Sequence, residues 1–284
     1  MNPLPLVSAA LVTLAACAPP PADQESAAIE LYAMDCGRIH FPDTGPFADD
    51  GSFDGVSREF VDPCYLIRHP SGDLLWDTGF PDTVASMPDG MELAGLGAHV
   101  TRAVTLVSQL AQLGLTPADI EFLSVSHSHG DHVGNAGLFA SATFLVDADE
   151  RAVLFSEEAR AGEAFPNYAA LENAATHLIE GDGNHDVFGD GTVTIIQAPG
   201  HTPGHTILRV DLADAGPVLL TGDMWHLAES RERRTVPRFN VDRDQTLASM
   251  DKVEALARET GARVIRQHVP EDFAGLPRFP EALR

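Results

Sequence analysis

Short apolar runs alternate with turn-rich polar stretches along most of this chain, and at two places the apolar residues recur at helical spacing instead. Runs over residues 28–39, 61–68 and 73–76 predict three early strands, the last leading into Asp77-Thr78-Gly79. Ala103, Leu106, Val107 and Leu110 fall on one face of a predicted helix over residues 100–113, with Gly114 as its stop. Thr116-Pro117 predicts a brief helical turn, and residues 120–126 a buried strand. Further strands are predicted over residues 193–198, 206–210 and 218–220. A second helix over residues 244–259 turns Leu247, Met250, Val253 and Leu256 inward and stops at Gly261, and a last strand covers residues 263–266. Composition does not break past residue 28, so residues 28–284 read as one α/β domain.

A 44% hydrophobic content with 21% charged residues allows a substantial core in 284 residues. The net charge of −24 argues against nucleic acid as a partner, because phosphate binding needs a basic face. Residues 4–16 are mostly apolar but too few to span a bilayer, which fits a signal segment. They lead into Leu14-Ala15-Ala16-Cys17, which resembles the bacterial lipoprotein box. That resemblance implies cleavage before Cys17 and a lipid anchor to the membrane on its side chain. Met-Asn-Pro-Leu-Pro ahead of the run carries no Lys or Arg, and ordinary secretion with cleavage after Ala16 or Ala18 is the alternative. Residues 1–16 are thus read as a signal segment and residues 17–27 as a Pro-rich tether. The protein is expected to be exported, as a periplasmic or outer-membrane-anchored lipoprotein or as a secreted protein. Cys36 and Cys64 are either a disulfide of an exported protein or two buried thiols.

The densest chemistry is His127-Ser128-His129-Gly130-Asp131-His132. Residues two apart in an extended segment point the same way, so His127 and His129 can share one cation. Past Gly130, Asp131 and His132 can face a second. The remaining ligand candidates are His201, Asp223 and His268, each just past a predicted strand end, where loops carry function. The two oxygens of Asp223 suit it to bridge two cations. The alternative is a polar surface loop holding unrelated histidines. His205 reads as a hydrogen-bonded structural residue of its Pro-Gly turn, and His40, His69, His99, His177 and His185 have no motif context.

His-x-His-x-Asp-His, then Ala198-Pro-Gly-His-Thr-Pro-Gly-His205, then Gly222-Asp223 and a late histidine resemble the metallo-β-lactamase superfamily over residues 30–273. The resemblance implies a four-layer αβ/βα sandwich with the metal site at the rim of its two sheets. It implies His127, His129 and His201 at metal one, Asp131, His132 and His268 at metal two, and Asp223 between them. Asp77 would orient a ligand histidine. Two zinc ions are expected, with Mn, Fe or Co acceptable at the carboxylate-containing second site. Such a pair holds a hydroxide between its ions at neutral pH and hydrolyses without a covalent enzyme intermediate.

Fold alone does not fix the substrate. Class B β-lactamases typically carry Cys or Ser where this chain has Asp223, and only 16 residues follow His268, too few for the helical region of glyoxalase II proteins. Asp35 to Ile39, Cys64 to Pro70, Leu75 to Gly79 and Thr221-Gly-Asp-Met-Trp-His226 resemble N-acyl homoserine lactonases. That branch implies a small lactone or ester substrate and an apolar channel for an acyl tail, for which Met87, Met91, Leu93 and Leu96 are candidates if they do not simply pack the core. Such lactonases often place a Tyr three residues after the bridging aspartate, where this chain has His226. Asp131 and His226 are the catalytic candidates, His226 as proton donor to the leaving alkoxide, unless it lies on a helix surface. Other hydrolases of this fold, acting on β-lactams, aryl esters or phosphotriesters, are the alternatives. A non-catalytic metal-binding protein fits the complete ligand set poorly.

Overall fold

The computed structural model describes Met1 and residues 28–93, 95–181 and 183–284. The expected signal segment after Met1 and the Pro-rich tether lie outside the described residues.

Alternation along the early strands builds two cores at once, since successive side chains point to opposite faces. In β1 (Glu30–Phe41), Leu31 and Ala33 face one core while Tyr32 and Met34 face the other. In β2 (Arg58–His69), Tyr65 and Ile67 oppose Cys64 and Leu66 in the same way. The first half adds β3 (Gly72–Trp76), β4 (Met91–Leu93), β5 (Ala98–Thr101), β6 (Phe122–Ser124), β7 (Thr143–Asp147) and β8 (Thr176–Ile179). The second half supplies β9 (His185–Asp186), β10 (Val193–Gln197), β11 (Thr206–Leu212), β12 (Gly216–Leu220) and β13 (Arg263–Ile265). Among the described residues these form an eight-stranded sheet, ordered β4-β5-β1-β2-β3-β6-β7-β8, and a five-stranded sheet, ordered β13-β12-β11-β10-β9.

One core lies between the sheets, with Trp76 and Leu145 of the first against Ile195, Leu208 and Val218 of the second. The outer face of the first sheet is covered by α1 (Leu106–Gln112) and by α3 (Ala148–Leu154), which follows the short α2 (Gly130–Val133). On the outer face of the second sheet, Ile196, Ile207 and Leu219 meet Met250, Val253 and Ala257 of a long helix, Arg243–Thr260. The result is the expected four-layer αβ/βα sandwich. No described helix is long and apolar enough to cross a membrane.

The first predicted helix is corrected. Val100 belongs to β5, paired with Ile39 of β1, and Ala103 is exposed. The helix starts only after Thr105, whose side chain accepts the amide of Ser108. Strand pairing and this cap outweigh the helical spacing upstream of it. The second predicted helix matches closely, capped by Asp242 at its start and by Gly261 in the left-handed conformation at its end.

Cys36 and Cys64 form a disulfide between β1 and β2. It lies against the loop after β3, where Gly79 has φ +65° and a Cβ would overlap that of Cys36. The bridge therefore helps fix Asp77-Thr78-Gly79, which reaches into the site.

Candidate metal centre

The parallel strands β3 and β6 end together at one edge of the larger sheet, and β12 and β13 end together in the smaller. β10 runs antiparallel to β11, and β11 antiparallel to β12, so β10 also ends at that edge. Asp77 follows β3, His127 and His129 follow β6, His201 follows β10, Asp223 follows β12 and His268 follows β13. Residues far apart in sequence thus meet because strand direction brings their loops to one rim.

In the first cluster, His127 Nε2 lies 2.9 Å from His129 Nδ1. His201 Nε2 lies 3.1 Å from each of them. Asp223 Oδ2 is 3.5 Å from His127 Nε2 and 3.4 Å from His201 Nε2. In the second cluster, Asp223 Oδ1 is 3.3 Å from His132 Nε2 and 3.0 Å from His268 Nε2. Asp131 completes it, with its oxygens 3.9 Å from His132 Nε2 and 3.8 Å from His268 Nε2. One oxygen of Asp223 therefore faces each cluster.

The outer nitrogens set the ring orientations. His201 Nδ1 donates to Asn240 Oδ1 at 2.8 Å, and His268 Nδ1 donates to the Val61 carbonyl at 2.8 Å. Ser126 Oγ donates its single proton to Asp77, so at 3.0 Å it accepts from His127 Nδ1. His132 Nδ1 donates to Asp77 Oδ2 at 3.0 Å. Asp77 itself sits at φ 57°, an uncommon left-handed backbone position for a non-glycine residue, which aims its carboxylate at both His132 and Ser126.

In the first cluster, protons held on the outer nitrogens of His127 and His201 leave inner nitrogens with lone pairs aimed at one another. Burial keeps His127 well below the usual histidine range and His129 down near about 4, so both rings are neutral. Converging lone pairs at this spacing call for a cation among them. The second cluster reaches the same conclusion from charge. Burial opposes protonation of His268, yet Asp223 and Asp131 raise it to about 9. His132 is likewise raised well above its ordinary value against burial, by Asp223 and Asp77. Carboxylates that draw positive charge onto two buried imidazoles would equally hold a cation between them. His132 Nε2 and Asp223 Oδ1 are also buried without a hydrogen-bond partner. Nitrogen and carboxylate donors so arranged fit divalent metal.

All seven predicted ligand candidates thus come together. His205 is structural, as expected: its Nδ1 donates to the Ala198 carbonyl and its Nε2 accepts the amide of Asp223 at 3.0 Å. His226 is not on a helix surface. It is buried, with Nε2 3.0 Å from Asp223 Oδ2 and Nδ1 unpartnered. Burial lowers it to about 4, so its ring is neutral.

His129, Asp131, Asp223 and His268 of the two clusters, with Gly130 and His226, form the polar side, or floor, of a cavity of about 410 Å³. Its walls are phenylalanines: Phe41, Phe47, Phe60, Phe80 and Phe239. Leu93 and Leu96 line it as the sequence suggested, whereas Met91 packs against the aromatic cluster and Met87 is exposed. Sequence reasoning missed the phenylalanines, which come from five separated segments with no shared period. It also missed Asn240, Glu150 and Asp62. Asp62 is buried beside Phe80, accepting its amide at 3.2 Å, and burial, with Asp131 nearby, raises it to about 8.

Residues 58–268 match the family model described as the metallo-beta-lactamase superfamily. The chain is 30% identical over 258 residues to the N-acyl homoserine lactonase AttM of Azorhizobium caulinodans, covering 89% of this chain and 97% of the relative. It is 30% identical over 222 residues to an N-acyl homoserine lactonase of a Bacillus species, covering 77% and 85%. Among solved structures, an N-acyl homoserine lactone hydrolase with the product N-hexanoyl-L-homoserine bound at its catalytic metal center aligns with a TM-score of 0.75. That alignment has 25% identity and covers 90% of this chain and 99% of the other. A matched span that starts at β2 and ends on His268, two stacked sheets and a histidine-aspartate centre at their common rim agree on one assignment: the chain belongs to the metallo-beta-lactamase superfamily.

Proposed function

We propose that this protein is a metal-dependent hydrolase that opens the lactone ring of N-acyl homoserine lactones to give N-acyl homoserines. The observation that carries the reading is the joining of the two-cluster centre to a phenylalanine-walled cavity whose floor it forms. Similarity to named lactonases across nearly the whole chain supports it.

Two zinc ions are the proposed occupants, His127, His129 and His201 holding one and Asp131, His132 and His268 the other, with Asp223 shared. The all-imidazole set favours zinc, and the carboxylate-containing set also accepts Mn, Fe or Co. Bound there, the ions acidify water and polarise an ester carbonyl. The chain's own residues supply the rest. The phenylalanine walls take up the acyl tail and exclude water from it. Asp131, partly exposed at the cavity floor, is placed to accept a proton from the attacking water. Water adds to the lactone carbonyl, the ring C–O bond breaks, and the leaving oxygen takes up a proton. His226, neutral and lining the same cavity, is the proposed hydrogen-bond donor to that oxygen as its charge develops, which requires its Nε2–H to turn from Asp223 Oδ2.

We further propose that the chain is exported and tethered through a lipid on Cys17, with secretion as the alternative. The Cys36–Cys64 disulfide supports an oxidising compartment. Intact mass of the mature protein tests this: a lipidated N-terminal Cys17 is expected, and a chain that retains residues 1–16 contradicts export.

The activity is tested by incubating zinc-loaded protein with N-hexanoyl homoserine lactone. Gain of one water and release of acid are expected, and both stop with chelator. Turnover of aryl esters or phosphotriesters with the lactone left intact would replace this substrate assignment.

A further inference from the structure

Glu150 has no part in the chemistry described so far, yet it is 1% exposed and touches both loops of the first cluster. Its Oε1 accepts the amide of Ser128 at 2.6 Å, and Ser128 lies between His127 and His129. Its Oε2 accepts the Thr202 hydroxyl at 2.7 Å and the Gly204 amide at 3.0 Å, on the turn that carries His201. The two loops are 74 residues apart in sequence between His127 and His201, and Glu150 belongs to neither.

The fold makes room for this contact. Asp147 caps the first turn of α3, accepting the amides of Asp149 and Glu150, while its other oxygen accepts Gln197 Nε2 at the end of β10. The turn after His201 then approaches so closely that a Cβ on Gly204 would overlap the Glu150 amide nitrogen. Three donors on one buried carboxylate form a rigid clamp, because charge-assisted hydrogen bonds are the strong ones. The second cluster does not touch Glu150. His132 is held by Asp77 and His268 by the Val61 carbonyl.

We propose that Glu150 is a positioning residue that sets the spacing of His127, His129 and His201, and so the metal affinity of the first cluster without that of the second. This rests on the reading of the centre as a two-metal site, but not on the substrate.

The test is metal titration of the full-length protein and of Glu150→Gln, stripped with chelator and refilled with Co²⁺ or Zn²⁺. Glutamine keeps the size but offers one acceptor oxygen instead of two. One of the two metal equivalents should weaken by roughly 10–100-fold, as when an outer partner of a ligand is lost. The other should hold its affinity. In metal-free protein, the Ser128 and Gly204 amides should exchange with solvent faster in the variant, a readout independent of turnover. Thr202→Val removes one arm of the clamp and serves if Glu150→Gln does not fold. It should weaken the same equivalent by roughly fivefold, the size of one net hydrogen bond. Unchanged affinity in both variants overturns the proposal, and so does equal weakening of both equivalents, which marks general destabilisation. If wild-type protein itself takes up no metal, the two-metal reading fails, and the proposal with it.

Discussion

The metal centre and the aromatic cavity above it share a floor but are built in opposite ways. The centre is polar, buried and tied down by directional contacts: each fixed imidazole has its outer nitrogen on a named acceptor, and Asp77 and Glu150 brace the loops. The cavity has almost no directional contacts. Phe41, Phe47 and Phe60 pack edge-to-face and tilted against one another with ring centroids 4.8 to 5.0 Å apart, and Phe239 meets Phe47 edge-on at 5.4 Å while 41% exposed. Hydrogen bonds fix atoms to a few tenths of an ångström, as a metal site requires. Apolar contacts constrain volume and little else, as a site for a flexible tail requires. The contrast supports the proposed division, with reaction in one region and selection in the other.

Substitutions can break that division of labour. His129→Ala should lower kcat/KM for every substrate alike by roughly a thousandfold, the several kcal/mol that metal activation supplies. Metal analysis of the same sample should show less than the wild-type content. An effect confined to long-chain substrates would place His129 in selection instead. Phe239→Ala should do the opposite. It should cut kcat/KM by about tenfold for long acyl chains, the loss of part of one apolar contact, while short chains change little. Its exposure predicts little change in Tm, which separates this effect from unfolding.

The smallest effect sharpens the boundary between the regions. Asp62 lies at the seam, accepting the amide of the cavity residue Phe80 and facing Asp131 of the centre. Its folded pKa is raised to about 8, so between its unfolded value of 3.8 and that point the folded state binds the extra proton. Stability from this group is therefore lost as pH rises through about 8. Asp62→Asn cannot ionise, so its Tm advantage over metal-free wild type should grow from pH 6 to pH 9. An equal difference at both values would mean that Asp62 is charged throughout.

The same contrast explains what the sequence reveals. The ligand candidates are legible because a metal needs several donors within a few ångströms, and a loop at a strand end delivers four of them in six residues. Asp77 is legible through Asp-Thr-Gly after a strand. The cavity is not, because Phe41, Phe47, Phe60, Phe80 and Phe239 are joined only by tertiary packing. Leu93 and Leu96 were within reach as a local apolar pair. Glu150 is hidden for another reason: Ala-Asp-Glu-Arg at a helix start reads as a solvated first turn, and only the approach of the Gly204 turn buries it. The helix boundary before Leu106 is not legible, because Val100 fits helical spacing and strand pairing equally well. The Cys36–Cys64 pairing is open in the sequence; in the fold Met34 lies opposite Cys64, and the shift in register between Asp35 and Arg38 leaves Cys36 within reach, 5.8 Å from Cys64 between Cα atoms.

The proposed two-metal lactonase centre beneath an apolar tail site meets its most direct test in kcat/KM for a series of N-acyl homoserine lactones from butanoyl to decanoyl, measured on zinc-loaded wild type. Ring opening throughout, chelator sensitivity throughout, and a rise of up to roughly fourfold per added methylene until the cavity is filled are expected. Lactones left intact by fully metal-loaded protein, or opened at a rate indifferent to chain length, would contradict it.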